Sequence, residues 1–279
     1  MPRLHRYTQL DVFTATATQG NPLAVVHDAD DLSSEQMAAF ARWTNLSETT
    51  FLLQPTDPAA DYRVRIFTPG GELPFAGHPT LGSCRAWLAA DGLPRQPGQV
   101  VQQCGIGLVT VRREGQRLAF AAPPCLRGEV EPGLLAKVVA ALGLQPDEVI
   151  AAQWLENGPK WLGIHVRSAE RVRALMPDHG LLKHLAKVGV VAPQAAGADT
   201  QFEVRGFVSP LGVNEDPVTG SLNAGLAQWL IGSGAAPDHY VAAQGTAMGR
   251  AGRVHVQREG DTIWIGGDVA ACISGTVTL

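Results

Sequence analysis

The chain has 279 residues, of which 45% are hydrophobic and 17% charged, with a formal net charge of -4. That length can bury a large core and hold two domains of ordinary size, and the composition excludes a disordered chain. No basic run points to nucleic acid, no apolar run approaches the span of a bilayer, and the N-terminal MPRLHRYTQLDVF has no apolar centre of a signal peptide.

The many glycines and prolines, 31 and 19, imply frequent turns and a strand-rich fold. RYTQLDVF reads as a strand, Gly20-Asn21-Pro22 as a turn and LAVVH as a second strand. In DLSSEQMAAFARWTN, Ser33 and Gln36 fit a capping box, and Met37, Phe40 and Ala41 form a helical stripe. NLSETTFLLQP returns to strand. DYRVRIFTPGG alternates, with Tyr62, Val64 and Ile66 on one face and Arg63 and Arg65 on the other. GHPTLGSCRAWLAADG reads as a helix with Pro79 in its first turn and Gly92 at its end. VVQQCGIGLVTVRREGQRLAFAAPP reads as a hairpin with Glu114-Gly115 near its turn, and the Ala-Pro-Pro stretch at 121–124 as a linker.

The second half repeats this grammar. LLAKVVAALGL is a helix closed by Gly143, and AAQWLENGPKWLGIHV is two strands around Asn157-Gly158-Pro159. A helical pattern covers GLLKHLAKVG, and QFEVRGFVSP is a strand. A helix follows with Val218, Leu222, Leu226 and Trp229 on one buried face, stopped by Gly232. RVHVQREGDTIWIGG is another hairpin before the closing TVTL. Each half thus holds a strand, a glycine-rich turn and an X-Pro-initiated apolar helix, starting at His78-Pro79-Thr80 and at Asp216-Pro217-Val218-Thr219. This predicts an internal duplication: an α+β fold of two similar β-rich domains, each wrapped on one helix.

A helix start leaves N–H groups unpaired and carries partial positive charge, so Gly77-His78-Pro79 and Thr219-Gly220-Ser221 are candidate carboxylate or phosphate cradles. For either helix alone, capping is the simpler reading, with Asp216 a good N-cap. Two such starts, each with a titratable residue, shift the balance toward a site. Glu48 lies at the mouth of an apolar strand beside Leu46, Phe51 and Leu52; desolvation there would suit it to proton transfer near neutral pH, although an exposed strand-end Glu is the simpler reading of that segment.

Gly105-Ile106-Gly107 lacks the rest of a dinucleotide fingerprint, and no P-loop, HExxH or GxSxG occurs. The eight histidines show no metal-ligand spacing. Cys84, Cys104, Cys125 and Cys272 form no CxxC and read as reduced, half-buried thiols of a cytoplasmic protein. Proton transfer without cofactor or metal is the chemistry these residues call for.

Taken in order, DVFTATATQGNPLAVV, NLSETTFL, RIFTPGGELPFAGHPTLG, NGPKWLGIHV, FVSPLGVNEDPVTGSLNAGL, AQGTAMGRAGRVHV and GGDVAACISGTVTL resemble the PhzF-like (phenazine biosynthesis) proteins, relatives of diaminopimelate epimerase. The resemblance implies two pseudo-symmetric domains, each a β-barrel-like sheet around a central helix. The boundaries expected are 1–122 with returning strands at about 268–279, and 123–267, with the active site in the cleft between the domains. It further implies isomerisation of a substrate like trans-2,3-dihydro-3-hydroxyanthranilate, with Glu48 as proton shuttle and with His78 and Asp216 flanking the substrate to polarise or relay. Ser47, Gly77, Gly220 and Ser221 would bind the carboxylate and polar groups of a small-molecule substrate, and the protein would be a homodimer. The relatives that epimerise diaminopimelate carry a cysteine at each helix start. Here His78 and Asp216 occupy those regions, which disfavours two-thiol racemisation. Two alternatives stay open: a ligand- or protein-binding member of the fold without turnover, or an epimerase of another small acid. Trp161 and Arg250 could contact ligand, with core packing and a surface pair as their simpler readings.

Overall fold

The computed structural model describes residues 2–279. The chain divides into two compact units, one running from the N-terminus to Ala121 and resuming at Gly266–Leu279, the other Ala122–Ile265. The first unit contains β1 (Leu4–Val12), β2 (Asn21–Val26), α1 (Ser34–Thr44), β3 (Thr49–Leu53), β4 (Tyr62–Thr68), β5 (Gly71–Leu73), α2 (Gly77–Ala89), β6 (Gln99–Cys104), β7 (Gly107–Glu114) and β8 (Arg117–Ala121). The second contains β9 (Leu126–Gly128), α3 (Pro132–Ala141), β10 (Val149–Glu156), β11 (Lys160–Val166), α4 (Ala169–Arg173), α5 (His179–Leu182), β12 (Val188–Pro193), β13 (Phe202–Phe207), β14 (Glu215–Asp216), α6 (Gly220–Gly232), β15 (His239–Gln244) and β16 (Gly252–Glu259). β17 (Thr262–Gly267) carries the chain back, and β18 (Val269–Thr278) completes the first unit. Among the described residues no helix is long and apolar enough to cross a membrane.

The two units repeat one order of strand pairing. In the first, β1–β2 is antiparallel, β2–β3 parallel, β3–β4 antiparallel, β4–β6 parallel and β6–β7 antiparallel. In the second, β10–β11, β11–β12, β12–β13, β13–β15 and β15–β16 follow the same alternation. A parallel pair needs a crossover. In each unit the second crossover contains a two- or three-residue strand followed by the long apolar helix: β5 and α2 in one, β14 and α6 in the other.

Those two helices are central. Every residue of α6 is buried except Gln228 and Gly232, and all but the last turn of α2 is buried apart from Arg85. A helix hidden on nearly all sides needs close approach by its sheet, and small residues provide it. A Cβ on Gly189 would lie 2.2 Å from Leu222 Cδ1, and one on Gly82 would lie 2.4 Å from Leu23 Cδ2.

Each central helix is also clasped by a buried glutamine from the strand after it. Gln102 Nε2 donates to Thr80 Oγ1 at 3.1 Å, and Asn223 Nδ2 donates to Gln244 Oε1 at 2.8 Å. Thr80 and Asn223 are each the fourth residue of their helix, so the duplication extends from topology to side-chain chemistry.

Several sequence expectations hold. Ser33 and Gln36 close a capping box, and Met37, Phe40 and Ala41 are the buried residues of α1. Tyr62, Val64 and Ile66 are buried on β4. Others need correction. The helix expected over GLLKHLAKVG is the single turn α5, because Val188 begins a strand buried between β11 and β13. The hairpin around Glu114-Gly115 has a third strand, β6, upstream. Asn21 and Pro22 open β2 rather than turning the chain. Val218 is buried but precedes α6, whose N-cap is Thr219 and not Asp216. The cysteines are not uniformly half-buried. Cys84 is buried and Cys272 exposed, and burial pushes the Cys84 thiol up to about 12.

Candidate active-site residues

In the first unit the chain delivers Glu48 through a tight exit from α1. Asn45 ends that helix in the left-handed conformation, with φ 53°, and its N–H reaches the Ala41 carbonyl at 3.2 Å. Thr44 and Thr49 hydroxyls bond across the loop at 3.0 Å, which fixes the intervening Leu46-Ser47-Glu48 against the start of β3. Ser47 and Glu48 are half-buried, and the Glu48 side chain is 16% exposed.

His78 comes from the first turn of α2 and is 4% exposed. Its Nδ1 lies 3.5 Å from Glu48 Oε2 and 3.4 Å from Asn21 Nδ2. The two contacts suit opposite tautomers: a protonated Nδ1 donates to Glu48, and a bare Nδ1 accepts from Asn21. His78 Nε2 is buried without a hydrogen-bond partner. Burial pushes the imidazole down to about 3, opposed by the Pro22 carbonyl, so the ring is neutral at physiological pH. The carboxylate of Glu48 thus faces a neutral imidazole at the positive end of a helix whose first residue, Gly77, is buried.

In the second unit Asp216 occupies β14, paired with Gly206 of β13. Its Oδ2 accepts from Thr219 Oγ1 at 2.6 Å. Gln244, fully buried at the end of β15, fastens this corner. Its Oε1 accepts from the Thr219 N–H at 3.0 Å and from Asn223 Nδ2, while its Nε2 donates to Thr219 Oγ1 at 3.0 Å and to the Asp216 carbonyl at 3.2 Å. The start of α6 is therefore capped by a distant glutamine, since no side chain of its own caps it.

Gly220 and Ser221 form the first turn of α6. Ser221 Oγ accepts from Trp161 Nε1 at 3.2 Å, and its carbonyl accepts from Asn157 Nδ2 at 2.8 Å. Trp161 is 3% exposed, as core packing requires, and it orients a predicted binding residue. Beside Asp216, Glu215 is held by Arg205 through two bonds of 2.9 and 2.7 Å, with both side chains buried.

Glu48, Ser47, Gly77 and His78 therefore belong to one constellation in the first unit, and Asp216, Gly220 and Ser221 to another in the second. Sequence reasoning named Thr219 only as part of a helix-start cradle and did not single out Asn21, Asn223 or Gln244 for a site, although all four lie in the motifs TQGNPLAVV, EDPVTGSLNAGL and AQGTAMGR. Among the described residues no group of three or more His, Cys, Asp or Glu is placed to hold a metal ion.

The family described as phenazine biosynthesis-like protein, PhzC-PhzF, matches residues 10–275. The chain belongs to the PhzC-PhzF family. Within it, the chain is 34% identical to a trans-2,3-dihydro-3-hydroxyanthranilate isomerase of Pseudomonas aeruginosa, over 99% of this chain and 100% of that one. It is 36% identical to antisense-enhancing sequence 1 of Schizosaccharomyces pombe, over 97% and 98% of the two chains. The crystal structure of a PhzF-family phenazine biosynthesis protein of Enterococcus faecalis superposes with a TM-score of 0.83 at 25% identity, covering 99% of this chain and all of that one. This PhzF-family chain is an isomerase with a duplicated α+β fold.

Proposed function

We propose that the protein isomerises a small cyclic or unsaturated carboxylate by moving a proton and a double bond within one molecule, in the manner of trans-2,3-dihydro-3-hydroxyanthranilate isomerase, without a cofactor. The observation that carries this reading is the half-buried carboxylate of Glu48, 3.5 Å from the neutral imidazole of His78 at the start of a buried helix. Glu48 takes a proton from one carbon, the resulting electron pair shifts the double bond, and the same carboxyl returns a proton at a second carbon. His78 Nδ1, in contact with Glu48 and Asn21, polarises the reacting group or relays the proton. The Ser47 hydroxyl and the N–H groups of Gly77, Gly220 and Ser221 hold the substrate's carboxylate and polar groups. Asp216, hydrogen-bonded to Thr219, acts as the acid/base group of the second unit.

The test is an NMR assay in deuterated water with trans-2,3-dihydro-3-hydroxyanthranilate, comparing wild type with Glu48→Gln. Glu48-dependent loss of substrate, with a shifted double bond and deuterium at the new C–H, supports the reading. No reaction from folded wild type rejects that substrate and favours a binding protein. Exchange at one carbon without movement of the double bond indicates an epimerase.

A further inference from the structure

A cavity of about 110 Å³ opens at the end of α2 remote from His78. Trp87 and Ala90 line it, about 18 Å from His78 at the rise of an α-helix. Its other walls come from the strand ends of the same unit: Arg6 in β1, His27 and Asp28 just after β2, and Asp61 just before β4. Tyr62 also lines it and stacks on Trp87, ring centroids 5.3 Å apart, to form an aromatic wall. A single water needs only about 10–15 Å³, so the space admits a small organic group.

This cavity is short of positive charge. Asp28, Asp30 and Asp61 line it against the one guanidinium of Arg6, which meets Asp28 at 3.8 Å. Arg95, outside the lining, meets Asp61 at 3.8 Å, and the carboxylates still outnumber the cations. The last carbonyls of α2 add partial negative charge, and no basic residue stands in the last turn of that helix. The second unit answers the same need with its own side chain. There Arg127 Nη1 lies 3.4 Å from where a Cβ on Gly232, the last residue of α6, would sit.

His27 supplies an acceptor. It lines the cavity and is 3% exposed. Its Nε2 bonds the Thr8 hydroxyl at 2.9 Å, and its Nδ1 makes no hydrogen bond among the described residues. The ring is neutral at physiological pH, because burial first and Arg6 next hold it down to about 4, with Asp28 opposing. A hydroxyl accepts as readily as it donates, so Nε2 can carry the proton and leave Nδ1 bare. A bare imidazole nitrogen in an acidic cavity calls for a charged donor. Among the described residues no group of three or more His, Cys, Asp or Glu is placed to hold a metal ion, so the donor that fits is organic.

We propose that this cavity binds a small organic ammonium ion, its alkyl part against Tyr62 and Trp87 and its N–H groups donated to His27 Nδ1, Asp28 and the last carbonyls of α2. One helix then serves two ligands of opposite charge, an acid at its positive end and an ammonium at its negative end. The site is independent of the reaction assigned above.

Ethylammonium chloride is the probe, with ethanol and sodium acetate as neutral and anionic controls of similar size, all at constant ionic strength. The histidine rings are followed by NMR, and affinity is measured by calorimetry. Ethylammonium is expected to shift the His27 ring saturably, and ethanol and acetate to bind about tenfold more weakly, as the loss of a hydrogen bond to a charged group implies. Asp28→Asn suits the left-handed φ of 54° at that residue, so the fold should tolerate it. It is expected to weaken ethylammonium about tenfold, and so is His27→Gln. A His27 ring unmoved by ethylammonium, controls that bind as well as the probe, or an Asp28→Asn protein that binds like wild type would each overturn the proposal. The wild-type titration and Asp28→Asn decide the matter even where His27→Gln fails to fold.

Discussion

The Oε2 atom of Glu48 lies 3.5 Å from Nδ1 of His78, although one residue leads into a strand and the other opens a helix. Nothing local to either segment brings them together. The parallel pairing of β2 with β3 places Glu48 one residue ahead of the Ala24–Thr49 pair, and Asn21 at the start of the same β2 contacts the His78 ring. The contact is a product of the sheet's topology.

Replacing Glu48 by Gln keeps the shape and removes the base. Turnover is expected to fall by about 10²- to 10⁴-fold, the usual contribution of a positioned general base, with the circular dichroism spectrum and urea midpoint close to wild type. A variant within threefold of wild-type turnover would remove Glu48 from the mechanism. Asn21→Ala, which takes away one of the two partners of His78 Nδ1, is expected to lower turnover by a smaller factor.

Acid is expected to destabilise the protein through its buried histidines. Burial holds His78 down to about 3; His27 is held at about 4, by burial first and then by Arg6, with Asp28 opposing. Both values lie below the ordinary 6.5, so between them the unfolded chain binds more protons than the folded one. The stability from keeping these rings neutral is complete above about pH 6.5 and is lost as pH falls toward 4 and then 3. Each histidine contributes a slope of up to about 1.4 kcal/mol per pH unit in that window. Urea titrations at successive pH values measure the slope, and His27→Gln should remove part of it. A stability that is flat from pH 7 to 4 in both proteins would refute this account.

Gln244 is the linchpin of the Asp216 corner. Gln244→Leu leaves the Thr219 N–H without its acceptor, takes one of two acceptors from Asn223 Nδ2, which keeps the Thr219 carbonyl, and removes a donor from Thr219 Oγ1 and from the Asp216 carbonyl. At about 1–3 kcal/mol for each buried group left unsatisfied, the variant is expected to lose about 2–4 kcal/mol by denaturant unfolding. Turnover should fall with it, because the Gln244 amide no longer holds the Asp216 carbonyl and the Thr219 hydroxyl that bonds the Asp216 side chain. A loss under 0.5 kcal/mol would mean that the corner rearranges without cost.

The Arg205–Glu215 pair should behave as a unit. Arg205 also donates to the carbonyls of Val172 and Leu175, so it ties β13 to α4 as well as to β14. Arg205→Met strands Glu215 as a buried charge and is expected to cost about 3–5 kcal/mol. The double variant Arg205→Met, Glu215→Leu should recover part of that loss, as a double-mutant cycle would register. Equal losses in the single and double variants would show that the carbonyl contacts, not the ion pair, dominate.

Close packing on the central helices gives a further check. Gly189→Ala places a methyl 2.2 Å from Leu222 Cδ1, and a destabilisation of about 1–3 kcal/mol is expected. A neutral or stabilising result in a thermal melt would mean that Leu222 has room to move.

The sequence disclosed features carried by local pattern or by charged residues in motifs. The α1 capping box needs only Ser33 and Gln36, and the β4 alternation only its own residues. Glu48, His78 and Asp216 stand out because titratable groups beside glycines and prolines are conspicuous. β12 was hidden because a strand buried on both faces has no alternation, and GLLKHLAKVG imitates a helical stripe until pairing with β11 and β13 overrides it. Gln102, Gln244, Asn21 and Asn223 were hidden for a different reason. An amide carries no charge, and what gives each its role is a partner far along the chain. The true start of α6 at Gly220, three residues beyond Pro217, follows from the Gln244 cap and was not visible without it.

The interrupted first unit sets an order of events at the ribosome. Its strand β1 is made first, yet β18, the neighbour that covers one edge of β1, is made last. The unit from Ala122 to Ile265 is continuous and can finish folding while the chain is still tethered. The first unit is expected to stay protease-sensitive until β18 emerges, reversing the usual N-to-C sequence. Loss of residues 270–279 should then unravel the first unit and leave the unit from Ala122 to Ile265 intact, an outcome that proteolysis of stalled nascent chains would reveal.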